Sequence, residues 1–211
     1  MDAVPPAERA ALRRLYRIDP RLAAIERAGG KLHWRMRPPG FATLLSAIVG
    51  QQISNAAANA IRARLEAAMP CGTPAGFLRL SEPDLRAVGF SGQKIAYGRG
   101  LAEACAEGRL DPVAIGAMDD EDAIAAISTL KGFGRWSAEV YLLFAHARRD
   151  VFPAADLALA ASATHLLDLS ERPKEKDFRA LAESWAPYRG LAARLLWHHW
   201  RHVTSRPADA A

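Results

Sequence analysis

The stretch best equipped for chemistry reads Leu130-Lys131-Gly132-Phe133-Gly134-Arg135-Trp136-Ser137-Ala138. Its residue types predict a helix ending at Leu130, a two-glycine turn, and a new helix from about Gly134. Gly132 and Gly134 can adopt backbone angles closed to other residues and leave amides uncovered. Amides at a helix N-terminus lie at the positive end of its dipole, which suits an anion. One reading is a hairpin that holds phosphate through the backbone and carries no base preference. The other is an ordinary glycine-containing turn between antiparallel helices.

Asp156 is the only ionisable residue between Val151 and Ala163. It is placed to cap the helix that follows, a sufficient role for an aspartate. It is equally a carboxylate that could stabilise a developing cation or activate water in a low-dielectric site. One residue can do both. Gln51 and Gln52 follow an apolar helix at a glycine break, in Ile48-Val49-Gly50-Gln51-Gln52-Ile53-Ser54. Their amides can cap a helix end, or can wedge into a base stack and bond to base edges. Trp185 and Trp197 are ordinary core anchors by type. His198 and His202 stand one helical turn apart, yet no carboxylate or cysteine joins them at zinc-ligand spacing.

The elements that must position these groups are helical throughout. Alanine and leucine dominate, and no segment alternates as a strand does. The pattern predicts helices over 6–16, 20–28, 41–50, 54–69, 81–87, 92–107, 119–130, 134–148, 157–169, 174–185 and 188–203. Gly29-Gly30 and Arg37-Pro38-Pro39-Gly40 are breaks, and the end from Arg206 to Ala211 is expected to fray. The 211 residues are enough for one domain or two small lobes without staples. Two cysteines, Cys71 and Cys105, exclude a disulfide framework and a four-cysteine iron–sulfur cluster. They fit a reduced, cytoplasmic protein. No apolar run reaches membrane-span length, so no membrane partner is expected. The net charge of +5 permits a polyanionic partner. The segment from Arg172 to Arg206 holds eight Lys/Arg against three acids, and reads as a basic face.

Taken in order, these motifs resemble the helix-hairpin-helix (HhH-GPD) DNA glycosylases, most closely the DNA-3-methyladenine glycosylase II branch. The resemblance rests on residues 48–54, on Leu85 to Leu101 with Gly89-Phe90-Ser91 and Lys94, on 130–138, on Phe152-Pro153 to Asp156-Leu157, and on Trp185 to Trp197. It implies an all-α fold of two lobes with the active site in a cleft between them. It divides the chain into residues 1–40, packing with the C-terminal lobe; 41–149, holding the hairpin; and 150–211, carrying the catalytic aspartate.

By the same resemblance Asp156 is the catalytic carboxylate, and Trp136 and Trp197 form the base pocket. Gln51 and Gln52 form the wedge, and Gly132, Phe133, Gly134 and Ser137 grip the DNA backbone. A monovalent cation at the carbonyls of Ser128, Leu130 and Phe133 belongs to the same pattern, with no catalytic metal and no cofactor. Bifunctional relatives carry a Schiff-base lysine where this chain has Trp136, so a monofunctional hydrolase is implied. The expected substrate is double-stranded DNA containing alkylated purines such as 3-methyladenine or 7-methylguanine, bound by a monomer. The helix after Asp156 departs from the family: Leu157 to Ser162 offers no basic residue to phosphate. The rival reading is a non-catalytic helix-hairpin-helix DNA-binding protein, which has no use for a lone carboxylate at 156.

Overall fold

The computed structural model describes residues 3–69 and 71–205. The expected fraying beyond Ser205 lies outside the described residues. The elements are α1 (Pro6–Ile18), α2 (Pro20–Gly29), α3 (Phe41–Gly50), α4 (Asn55–Ala68), α5 (Pro74–Arg79) and α6 (Glu82–Val88). After them come α7 (Gly92–Ala106), α8 (Asp120–Ser128), α9 (Arg135–His146), α10 (Leu157–Leu167), α11 (Glu175–Ala182) and α12 (Arg189–Thr204). The all-α class expected from composition is what the structure has. Helix α5 is absent from the sequence-based pattern. Its cap is there to read, with Thr73 accepting from the Gly76 amide and Pro74 in the first turn. Six residues are too few to display an apolar period. The predicted helix over 174–185 breaks into α11 and a 3₁₀ turn at Glu183–Trp185.

The described residues form two compact units. One runs up to Met36 and resumes at Ala147; the other is Arg37–His146. In the first unit α12 packs against α2 and α10. Leu191, Ala192, Ala193, Leu195 and Leu196 of α12 are buried, and the alanines let neighbouring helices approach closely. Phe152, Phe178 and Trp185 meet edge to face, with centroids 4.9 and 5.9 Å apart, each contact contributing ~0.5–1.5 kcal/mol. The buried Trp185 indole donates to Asp19, which also caps α2. The entry to α12 is held by ion pairs from Arg189 to Asp150 and Glu183 at 2.7 and 2.6 Å.

Three cations of the basic C-terminal segment are engaged within the chain. Arg189 serves the two carboxylates just named, and Arg179 reaches Glu175. Arg194 is buried, stacked 4.1 Å over the Trp34 ring and donating to the Arg35 carbonyl. Desolvation lowers its pKa to about 10, so it stays charged at neutral pH. Arg206 lies outside the described residues.

In the second unit α3 packs against α7, α5 against α7, and α8 against α9. Phe77 of α5 fills the space at Gly98 of α7, where a Cβ would fall 2.6 Å from its ring. The same ring touches Phe41 and Phe90. Lys94 donates from Nζ to the Val49 carbonyl at 2.8 Å and closes the C-terminal end of α3.

Histidines cluster around α12. His198 Nε2 donates to the Gly30 carbonyl at 3.0 Å, with the His33 ring 6.0 Å away. His199 and His165 share a hydrogen bond at 3.1 Å. Desolvation lowers the pKa of His198 and His199 below the ordinary 6.5, and for His199 the neighbouring His165, His202 and His198 add repulsion. A histidine with a depressed folded pKa contributes stability that is complete above the unfolded value and lost as pH falls below it. Tm is therefore expected to be level above pH 6.5 and to drop on acidification. His199→Gln should flatten that drop in a thermal-denaturation series from pH 7.5 to 5.

Candidate active site

Asp156 follows the buried turn Val151–Ala154, closed by Ala154 N–H to Phe152 O and Asp156 N–H to Pro153 O, both at 2.9 Å. Its backbone is extended, as an N-cap requires. Oδ1 accepts from the amides of Ala158 and Leu159 at 2.9 Å. The same oxygen accepts from the Trp197 indole Nε1 at 3.3 Å. Trp197 reaches it from α12, which is bolted to α10 by Ser162 Oγ donating to the Leu196 carbonyl at 2.8 Å. Cap and candidate acid–base group are thus one side chain, half-buried, with its carboxylate oriented by three N–H donors. The next residue, Leu157, is 72% exposed.

The hairpin belongs to the second unit. Gly132 has φ +94°, a left-handed conformation natural only to glycine, and a Cβ there would lie 2.4 Å from the Tyr97 ring. Gly134 faces open space. The Phe133 amide donates to the Leu130 carbonyl at 3.1 Å. The Gly134 amide donates to Ser137 Oγ at 3.0 Å, and that hydroxyl donates back to the Gly134 carbonyl. Two of the four positions expected to grip phosphate, Phe133 and Gly134, therefore have amides engaged within the hairpin. The first turn of α9 still supplies N–H groups without intrahelical partners, as every helix does.

Arg135 is engaged within the chain. It bridges Glu121 of α8 at 2.8 Å and the buried Glu139 of α9 at 2.9 Å, locking the two hairpin helices together. These pairs raise its pKa, with Glu121 the larger influence. For the cation expected at Ser128, Leu130 and Phe133, the donors fit a hard ion: all are oxygen, and Ser128 Oγ is buried without a hydrogen-bond partner among the described residues. The Leu130 carbonyl already accepts the Phe133 amide.

The two glutamines separate in role. Gln51 is half-buried and donates from Nε2 to the Gly132 carbonyl at 2.7 Å, tying the end of α3 to the hairpin. Gln52 is exposed at φ +58°. Trp136, in the first turn of α9, is 43% exposed, which is unusual for an indole. Asp156 and Trp197 are brought together in one unit, and Gln51 and Gly132 in the other. Sequence spacing does not reveal the Tyr97 ring beneath Gly132 or the ion pairs of Arg135, since no local pattern links those positions.

Comparison with known proteins adds three findings. A family model described as HhH-GPD superfamily base excision DNA repair protein matches residues 45–187. DNA-3-methyladenine glycosylase 1 of Schizosaccharomyces pombe is 34% identical over 171 residues, spanning 79% of this chain and 72% of that protein. Two solved structures superpose over nearly the whole chain. The S. pombe 3-methyladenine DNA glycosylase in complex with abasic DNA has TM-score 0.80 and 29% identity, covering 96% of this chain and 99% of that one. The Bacillus halodurans DNA-3-methyladenine glycosidase has TM-score 0.79 and 28% identity, covering 93% and 96%.

The two hairpin glycines should respond differently to substitution. Gly132→Ala meets both a ring and an unfavourable φ, and should cost ~2–4 kcal/mol of stability. Gly134→Asp adds a side chain to open space at a helix start, and should leave stability within ~0.5 kcal/mol of the parent. Urea unfolding of both variants checks this, and equal losses would contradict the geometry.

Proposed function

The chain belongs to the HhH-GPD superfamily of base excision DNA repair proteins, and on that premise we propose that it is a monofunctional DNA glycosylase acting on alkylated purines in duplex DNA. The observation that carries this reading is the oriented Asp156 carboxylate, with the Trp197 indole on the same oxygen as the helix cap. A non-catalytic DNA-binding protein has no need to hold an indole against a lone carboxylate.

The chemistry asks little of the protein. An alkylated purine such as 3-methyladenine or 7-methylguanine is cationic and leaves readily. When the bond from C1′ to the base nitrogen breaks, the electron pair departs with the base, which becomes neutral. Positive charge then develops on the sugar. Water adds to C1′ and releases a proton. Asp156 stabilises the sugar cation and orients the water. Extruding the nucleotide costs a few kcal/mol, less for a damaged base. The Trp197 indole beside Asp156 can face a positively charged base favourably, at ~0.5–2 kcal/mol for such a contact. Gln52 fills the emptied stack. The Gly132–Gly134 hairpin and Ser137 hold the phosphate backbone, and Gln51 holds the hairpin. A monovalent cation, when bound at the carbonyls of Ser128, Leu130 and Phe133, supplies positive charge toward a phosphate. The position homologous to the lyase lysine is Trp136, so no covalent sugar adduct forms.

The direct test is to incubate the protein with methylated duplex DNA and chromatograph the released bases. Asp156→Asn keeps the oxygen that accepts the three N–H donors and removes the charge, so the fold and DNA binding should survive. Base release should fall by ~10²–10³. Retention of more than about a tenth of parent activity would sink the assignment. Borohydride should trap no protein–DNA adduct. Efficient trapping would mean that an amine attacks the sugar, contrary to the hydrolytic route.

A further inference from the structure

Two arginines in the unit Arg37–His146 converge on one hydroxyl. Arg62 of α4 lies across α3, donating from Nε to Ser46 Oγ at 2.6 Å and from Nη2 to the Ser46 carbonyl at 3.2 Å. Its Nη1 donates to Asn59 at 2.8 Å. Arg37, exposed in the loop before α3, donates from Nη1 to the same Ser46 Oγ at 3.2 Å. The two donor nitrogens are thus less than about 6 Å apart, since both bond one oxygen.

The loop carrying Arg37 is held in place. Its backbone amide donates to the Phe144 carbonyl at 2.8 Å. The Gly40 amide donates to the Tyr141 hydroxyl at 3.0 Å, and Thr43 Oγ1 donates to the Pro38 carbonyl at 2.7 Å. The proximity of the two cations is therefore built in.

What the pair lacks is an anion. Arg9, Arg135, Arg149 and Arg189 each have a carboxylate within 3 Å. Neither Arg37 nor Arg62 has an ion pair among the described residues. Burial, and after it the Arg37 charge, lower the pKa of Arg62, with no carboxylate acting against them. Two guanidinium groups held side by side repel until an anion joins them. Among the described residues Arg37 commits its Nη1 side-chain donor, leaving most of a donor fork suited to phosphate.

The pair also lies next to the hairpin. Arg62 Nη2 is 3.2 Å from where a Cβ on Gly50 would stand. The next residue, Gln51, bonds the Gly132 carbonyl. Backbone phosphates recur along a strand at a few ångströms of axis each. From Leu157 to Ser162 the helix after Asp156 carries no basic residue, and in the C-terminal segment Arg189 and Arg179 are paired with carboxylates.

We propose that Arg37 and Arg62, joined through Ser46, form a second phosphodiester site that holds the DNA backbone beside the hairpin. The site rests on the duplex-DNA reading above. Arg37 makes the direct contact, and Arg62 sets the position of Ser46 and adds charge. The contact is to backbone only, so it carries no sequence preference.

The test is a salt series of binding to a duplex with a tetrahydrofuran abasic site. Log affinity falls against log salt with a slope near −0.9 per phosphate neutralised. Arg37→Gln should make that slope shallower by about one and weaken binding similarly for every sequence. Its Tm should stay at the parent value, since Arg37 is exposed. Arg37→Lys keeps the charge and should keep the slope. An unchanged slope and affinity in Arg37→Gln, or a loss that Arg37→Lys does not restore, overturns the site. If Arg37→Gln is silent while Gly134→Asp abolishes binding, the duplex-DNA reading survives and the arginine site alone fails. If the parent protein does not bind duplex at all, both fail.

Discussion

One carboxylate oxygen has to satisfy two helices at once. Asp156 Oδ1 takes the first free amides of α10 and the indole N–H of α12. The cap needs that oxygen at the start of α10, and the indole bond needs α12 packed so that Trp197 reaches it. The packing of α10 on α12, with Ser162 bolted to the Leu196 carbonyl, supplies that second condition. Behind the aspartate, the turn through Val151–Ala154 is buried, so the carboxylate is delivered by a rigid segment. Held this way, it needs little reorganisation when positive charge appears nearby, which is what makes a fixed dipole or charge effective in catalysis.

The same economy of charge runs through the rest of the molecule. Of the 28 Lys/Arg in the chain, several are committed within the fold. Arg135, Arg149 and Arg189 are bound to carboxylates, and Arg194 is buried over the Trp34 ring and against the Arg35 carbonyl. These cations hold helices together, the role in which a guanidinium fork is most useful. Arg37 and Arg62 are the contrast, converging on Ser46 with no carboxylate paired to either among the described residues.

In the hairpin, steric exclusion matters more than charge. Gly132 adopts a left-handed angle while pressed against Tyr97, so a side chain is excluded twice. Gln51 reaches the Gly132 carbonyl, and Arg135 ties α8 to α9. The turn is therefore braced from α3, α7 and both of its own helices. Gly134 alone is left open, which suits a position where a ligand's backbone approaches closely.

Much of this was legible from residue types. Alanine- and leucine-rich periodicity specified helices, and the Gly-x-Gly break before Arg135 specified the hairpin, because both depend on local backbone preference. Asp156 announced its cap by type and place. The short α5 escaped, since six residues cannot show a period. Partnerships between distant residues were decided only by the fold. Trp197 lies 41 positions from the aspartate it bonds, and Gln51 lies 81 from Gly132. Ser46 gathers Arg37 and Arg62 from opposite sides in sequence. Composition counted Arg189 and Arg194 as a basic face, but their charges were assigned by packing: one to carboxylates, the other to an indole and a carbonyl. Local preference is written residue by residue, whereas the neutralisation of a charge depends on which distant group the tertiary structure brings within about 4 Å.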